Sequence, residues 1–242
     1  RIRGLSFTGS RETGKFILEN AGLKKVNLEL GSKNAIIIMD DANLNLALEG
    51  VLWGAFGTTG QRCTAASRVI IHEKVFSKFE KMLINSTTRL KVGNGLSKTT
   101  DIGPLINKSA LEKSYRYVDI GKNEGAKLLC GGKGVKGKGF FFKPTIFTKV
   151  DPNSRIAQEE IFGPILALIK IKNFDEAIKV CNGIKYGLSS AIYTENMQYA
   201  FRAVNELEFG ITYVNSSTIG AEVHLPFGGT KETGWGKEAG WS

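Results

Sequence analysis

The sequence predicts an α/β domain in which a largely parallel sheet is flanked by helices. Three observations carry this. Largely apolar runs at 35–39, 69–71 and 164–171 are short and read as strands buried on both faces, as strands of a parallel sheet do. Between such runs, apolar residues recur at helical spacing, as in Leu44, Leu48, Val51, Leu52 and Ala55. Strand and helix then alternate almost to the end of the chain, the pattern of βαβ units.

Taken in order, residues 2–7 read as a short strand, and a turn at Thr8-Gly9-Ser10 leads into a helix over 12–20. A second strand, 26–30, is broken by Gly31-Ser32 before the buried run at 35–39. Asp40 and Asp41 are suited to cap the next helix, which delivers the chain to a turn around Cys63. After the strand at 69–71, Val75, Phe79, Met82 and Leu83 mark a helix, and Gly93-Asn94-Gly95 ends that region in a loop. Leu111, Tyr115 and Val118 mark a further helix, 126–130 a strand, 131–139 a hairpin tip and 140–150 an extended segment. Phe174, Ala177, Ile178 and Cys181 share one helical face, and a strand at 189–193, a helix at 197–207 and a strand at 211–215 follow.

The composition excludes several function classes. With 242 residues, 42% of them hydrophobic and 23% charged, the chain makes one large or two small ordinary globular domains. No apolar run is long enough to span a bilayer and no secretory signal pattern is present, so the expected place is the cytoplasm, with no membrane partner. Cys63, Cys130 and Cys181 are far apart, with no CxxC pair and no Cys/His cluster, which argues against a zinc site and a disulfide framework. Cys130 and Cys181 read as core residues. The net charge of +10 comes from scattered lysines, which predicts a solvated surface rather than a nucleic-acid face.

Five stretches carry chemistry. Gly9-Ser10-Arg11-Glu12-Thr13-Gly14-Lys15-Phe16 approaches a P-loop, but Phe16 has no hydroxyl for Mg²⁺. What survives is a phosphate-compatible helix N-terminus. Glu29, at a strand end before Gly31, is either a general base facing a cleft or a surface carboxylate. Cys63, in a turn after a helix, is either a nucleophile or a small buried hydrophobe. Glu159 and Glu160 beside Phe162 suit a ribose and a flat ring, or a charged loop with one core aromatic. The glycine-dense tail beginning Pro226-Phe227-Gly228-Gly229 either wraps over an opening or is a flexible terminus.

Together, Thr8-Gly9-Ser10, Glu29-Leu30-Gly31, Gly60-Gln61-Arg62-Cys63, Glu160-Ile161-Phe162-Gly163-Pro164 and Pro226-Phe227-Gly228-Gly229 have the order and spacing of the NAD(P)-dependent aldehyde dehydrogenase family. The chain resembles that family from end to end. The resemblance implies a catalytic domain of that fold and oxidation of a small-molecule aldehyde to a carboxylic acid with NAD or NADP. Cys63 would attack the aldehyde, and Glu29 would activate the water that hydrolyses the resulting thioester. Thr8, Gly9, Ser10, Leu30, Glu160 and Phe162 would hold the cofactor, Phe227 would line the substrate pocket, and the Cys63 N–H would face the oxyanion. A homo-oligomer is implied as well.

The departures set further expectations. Family members are about twice as long, so residues 1–30 correspond to a remnant of the cofactor-binding domain, 31–225 to the catalytic domain and 226–242 to a tail lining the substrate opening. The asparagine that supplies the second oxyanion donor falls outside this stretch, and losing one such donor costs about 10²–10³ in rate. Ser32 stands where the family usually has a second glycine, and is expected to tighten the turn near Glu29. The chain as given is thus expected to bind cofactor poorly and to oxidise weakly or not at all. The alternative is a truncated relative with a reactive cysteine that acts as a weak esterase or an interaction module. Residues 215–222 look most like those of semialdehyde-oxidising members.

Overall fold

The computed structural model describes residues 2–240. Its first elements are β1 (Gly4–Thr8), α1 (Arg11–Asn20), β2 (Lys25–Glu29), β3 (Asn34–Ile38), α2 (Leu44–Phe56), β4 (Ala66–His72) and α3 (Glu73–Arg89). They are followed by α4 (Lys108–Asn123), β5 (Lys127–Cys130), β6 (Thr145–Thr148), α5 (Arg155–Gln158), β7 (Ile165–Ile171) and α6 (Phe174–Asn182). The rest are β8 (Tyr186–Gly187), β9 (Ser189–Tyr193), α7 (Met197–Glu206), β10 (Ile211–Val214), β11 (Thr230–Lys231) and β12 (Gly234–Trp235).

Seven strands form the main sheet in the order β10-β9-β3-β4-β7-β6-β5, parallel throughout except for the β5–β6 pair. Alternate residues of its central strands face opposite layers. Ile37, Ile70, Ile169 and Ile192 meet α4, α6 and α7 through Val118, Phe174, Ala177 and Ala203. Ile36, Ile38, Val69 and Leu168 meet α2 and α3 through Val51, Ala55, Phe79 and Leu83. Both faces are covered, which is why these strands read as unbroken apolar runs. Cys181 lies in the first of these layers with no exposure, as expected.

The helices start at side-chain caps. Asn43, Asn107, Asn173 and Asn196 each accept backbone N–H bonds at the head of α2, α4, α6 and α7. Asn43 therefore displaces the expected Asp40 and Asp41. Asp40 pairs with Lys74, and Asp41 accepts from Thr194 Oγ1 and the Glu195 N–H, tying the end of β3 to that of β9.

A separate three-stranded sheet holds β1 and β2 in parallel, with β12 antiparallel to β2. The tail is thus fastened by a strand at Gly234–Trp235 and by an antiparallel bridge between Phe227 and Glu238. In its described part the tail is paired rather than free; residues 241 and 242 lie outside the described residues. Two other readings change. Within the extended segment only Thr145–Thr148 is a strand, and the short α5 that follows carried too few residues to show a period. Cys130 is half-buried at the end of β5, packed against the second core layer on one side and lining a groove on the other. No helix among the described residues is long and apolar enough to cross a membrane.

Candidate active site

Cys63 sits in the turn between α2 and β4, and that turn is held from several sides. Asn34, the first residue of β3, donates its amide to the Cys63 carbonyl at 2.6 Å and to the Ala65 carbonyl at 3.0 Å, and accepts from the Ser189 N–H at 3.0 Å. Thr218 Oγ1 donates to the Thr64 carbonyl at 2.8 Å. Gln61 donates to the Pro104 carbonyl and accepts from the Ile106 N–H. Gly60, at φ 66°, lies against the Gly163 carbonyl, where any side chain would clash. With so many backbone groups spoken for, the turn is fixed, and the thiol it carries is half-buried. Burial pushes its pKa up and the Glu29 and Glu160 carboxylates push the same way, while the N–H groups of Thr64 and Cys63 oppose them.

Glu29 closes β2 and is 3% exposed. Its backbone is pinned by the Gly9 N–H, which donates to the Glu29 carbonyl, and by pairing with Gly234 of β12. Its side chain is not: both carboxylate oxygens are enclosed and have no hydrogen-bond partner. Gly228 of the tail lies over it, so closely that an added Cβ would stand 2.8 Å from Oε1. Lys237 Nζ donates to the Gly228 carbonyl at 2.8 Å and fixes that cover. Desolvation pushes the Glu29 carboxyl up to about 7; the Glu238 charge adds to this and Lys237 opposes it.

Glu160 approaches from the segment after α5. Its Oε1 accepts the Ser32 N–H at 2.9 Å, and its carboxylate rests on the Cα of Gly31, leaving no room for a side chain there. Ser32 Oγ accepts from the Leu188 N–H at 3.3 Å, so the hydroxyl that replaces the expected glycine ties the turn to the segment preceding β9. Burial raises the Glu160 pKa and Lys113, on α4, lowers it; Lys113 is itself pushed down by burial. A groove of about 330 Å³ opens between Ser10, Lys113, Glu159, Glu160 and Tyr186.

β2 ends at Glu29 five positions before β3 begins at Asn34, and Asn34 holds the Cys63 carbonyl, so Glu29 and the Cys63 turn lie toward the same end of β3 and β4, which pair there at Asn34 and Ala66. Leu30 is buried against Gly14 of α1, and its N–H donates to the Thr233 carbonyl. Thr8, Gly9 and Ser10 are exposed, and Ser10 Oγ caps α1 by accepting from the Thr13 N–H at 3.2 Å. Phe162 is 41% exposed at φ 59°, and Phe227 is half-buried. No group of three or more His, Cys, Asp or Glu side chains suited to a metal occurs among the described residues.

A family model described as "Aldehyde dehydrogenase family" matches residues 1–242. The chain belongs to the aldehyde dehydrogenase family. It is 44% identical over 235 residues to an alpha-ketoglutarate semialdehyde dehydrogenase of Haloferax volcanii, covering 95% of this chain and 48% of that protein. It is 42% identical over 243 residues to retinaldehyde dehydrogenase 3 of Homo sapiens, covering 99% of this chain and 47% of that protein. Among solved structures, betaine aldehyde dehydrogenase from Staphylococcus aureus in complex with NAD+ superposes with a TM-score of 0.96 at 38% identity, over 98% of this chain and 48% of that one. This aldehyde dehydrogenase chain spans about half the length of the curated relatives it matches.

Several residues of the site escaped sequence reasoning. Asn34, Lys113 and Thr218 reach the site only through the fold, across 29, 47 and 154 positions to Cys63, Glu160 and Thr64. Arg68 of β4, fully buried, donates to the carbonyls of Lys33, Val180 and Cys181 at 3.1 Å each, clamping the start of β3 to the end of α6. Beside it Lys33 is also fully buried with an unpartnered Nζ; desolvation, with the Arg68 charge, pushes its pKa down to about 7. The only sequence signal for these was polar residues flanking apolar runs.

Proposed function

We propose that this chain carries the thiol chemistry of an aldehyde dehydrogenase, which oxidises an aldehyde to a carboxylic acid with NAD(P)+. The observation that carries the reading is an enclosed Glu29 carboxyl with no hydrogen-bond partner, on the segment that leads into Asn34, whose amide holds the Cys63 carbonyl. The Cys63 sulfur attacks the aldehyde carbon and forms a thiohemiacetal. Its oxyanion faces the Cys63 N–H, which is given to no acceptor among the described residues. Loss of hydride leaves a thioester on Cys63. Glu29, with a pKa of about 7, takes a proton from water as that water attacks the thioester, the position a general base needs near neutral pH. The acid departs and the thiol is regenerated.

NAD(P)+ fits the residues present. Glu160 would keep one oxygen for a ribose hydroxyl while Ser32 holds the other, Ser10 at the head of α1, with Thr8 and Gly9, would face the phosphates, Leu30 and Phe162 would flank the ring, and Phe227 would line the aldehyde opening. When bound, the nicotinamide accepts the hydride. We assign residues 1–30 to a cofactor-domain portion, 31–225 to the catalytic domain and 226–242 to the tail; the break between the two sheets after β2 supports the first boundary. A semialdehyde substrate is supported by residues 215–222 and by the Haloferax volcanii relative, and the nearly equal identity to the retinaldehyde enzyme marks how little overall likeness discriminates. Cytoplasmic placement and self-association belong to the same reading. Trp53 and Leu46 on α2, 51% and 42% exposed, offer apolar contact area.

An activated ester tests the thiol half of the reading without cofactor. The ester should acylate Cys63, and Glu29→Gln should slow release of the acid by about 10²-fold or more while leaving acylation in place. Acylation at another residue, or deacylation unchanged in Glu29→Gln, contradicts the assignment.

A further inference from the structure

A second groove, of about 450 Å³, lies between the end of α3 and the β5–β6 hairpin, and none of Cys63, Glu29 and Glu160 lines it. Its floor holds an unusual group. Thr87 is 2% exposed, and its Oγ1 is enclosed with no hydrogen-bond partner. The neighbouring Thr88 satisfies its own hydroxyl within the helix by donating to the Ile84 and Asn85 carbonyls, the ordinary arrangement for a helical threonine. Thr87 does not, and its hydroxyl is left without a partner just beneath the wall of the groove that Thr87 helps to line.

The rim supplies charge of one sign. Lys133 and Lys143 both line the groove, no Asp or Glu does, and among the described residues neither lysine belongs to an ion pair. They are held as neighbours, since the Lys143 N–H donates to the Lys133 carbonyl at 3.0 Å beside the Gly134–Phe142 bridge. The hairpin itself is fixed: Gly131 and Gly132 turn at φ 77° and 72°, and the Gly132 N–H donates to Thr145 Oγ1 at 2.8 Å. The remaining wall, Leu90, Val92, Val135 and Pro144, is apolar.

We propose that this groove binds a small organic anion, a carboxylate or phosphate ester, whose oxygens meet Lys133, Lys143 and the Thr87 hydroxyl while its hydrocarbon part lies on Leu90, Val92 and Val135. The lysines supply charge-assisted bonds that a neutral ligand would not use. The apolar wall favours a ligand with a hydrocarbon body over a bare ion.

Cys130 lines the same groove and reports on its occupancy. The protein is alkylated slowly with iodoacetamide at rising phenyl phosphate, and the labelled peptides are read by mass spectrometry. Labelling of Cys130 should fall along a saturable curve, by about tenfold at ten times Kd, with Cys63 labelling unchanged. Thr87→Val, which keeps shape and removes the orphaned hydroxyl, should weaken protection without lowering Tm. Lys133→Ala with Lys143→Ala should weaken it further. The proposal is overturned if Cys130 labelling ignores phenyl phosphate, if sodium chloride of equal ionic strength protects as well, or if both variants keep full protection. Equal protection by inorganic phosphate overturns the organic part.

Discussion

Glu29 folds at a cost that depends on pH, as a carboxyl kept from water without a hydrogen-bond partner must. Unfolded, its carboxyl titrates at the ordinary 4.5, and folded at about 7. Protons are therefore bound more tightly by the folded chain. Below the unfolded value both states are protonated and nothing is lost. As pH rises through the folded value the charged form must be kept without hydrogen bonds, and stability falls by at most about 3 kcal/mol. Glu29→Gln removes the charge and keeps the shape. Its Tm should match that of the wild type at pH 4 and exceed it at pH 8, by a few degrees; equal melting at both values contradicts the buried, unpaired carboxyl. The sequence offered Glu29 as one of two alternatives, because a strand-end glutamate reads the same whether a tail covers it or not. The cover, Gly228 fastened by Lys237, arrives from 199 positions away.

At the scale of elements, strands buried on both faces were the readable part. Residues 35–39 and 69–71 announced β3 and β4 because helices on each side demand apolar side chains at every position. β12 was not readable, since Gly234–Trp235 has no period and pairs only because β2 presents a free edge. The α2 cap was misplaced because Asp40, Asp41 and Asn43 all suit an N-terminus, and two of them were claimed by Lys74 and Thr194. Arg68 was silent in sequence, yet it joins two elements through three carbonyl acceptors in the interior. Arg68→Met should strand those carbonyls and destabilise the fold by about 3 kcal/mol or more, with an unchanged denaturant slope in chemical unfolding. A loss within experimental error would show that the clamp is replaceable by packing.

For the whole molecule, the arrangement of two sheets makes the site. The seven-stranded sheet supplies the Cys63 turn and Asn34, the three-stranded sheet supplies Glu29, and β12 in the tail pairs with β2 at Glu29. The motifs carrying the family resemblance were legible as a set before any could be read alone. Asn34, Lys113 and Glu238, which position or bias those motifs, were not legible, because their effect comes from tertiary proximity. The measurement that addresses this site most directly is the pH dependence of Cys63 alkylation in the wild type and in Glu29→Gln, followed on the Cys63 peptide. Because the Glu29 carboxylate holds the Cys63 thiol pKa up, Glu29→Gln should shift the rise in alkylation rate to lower pH than in the wild type. Superimposable profiles would contradict a shared cleft and leave the two groups chemically unconnected.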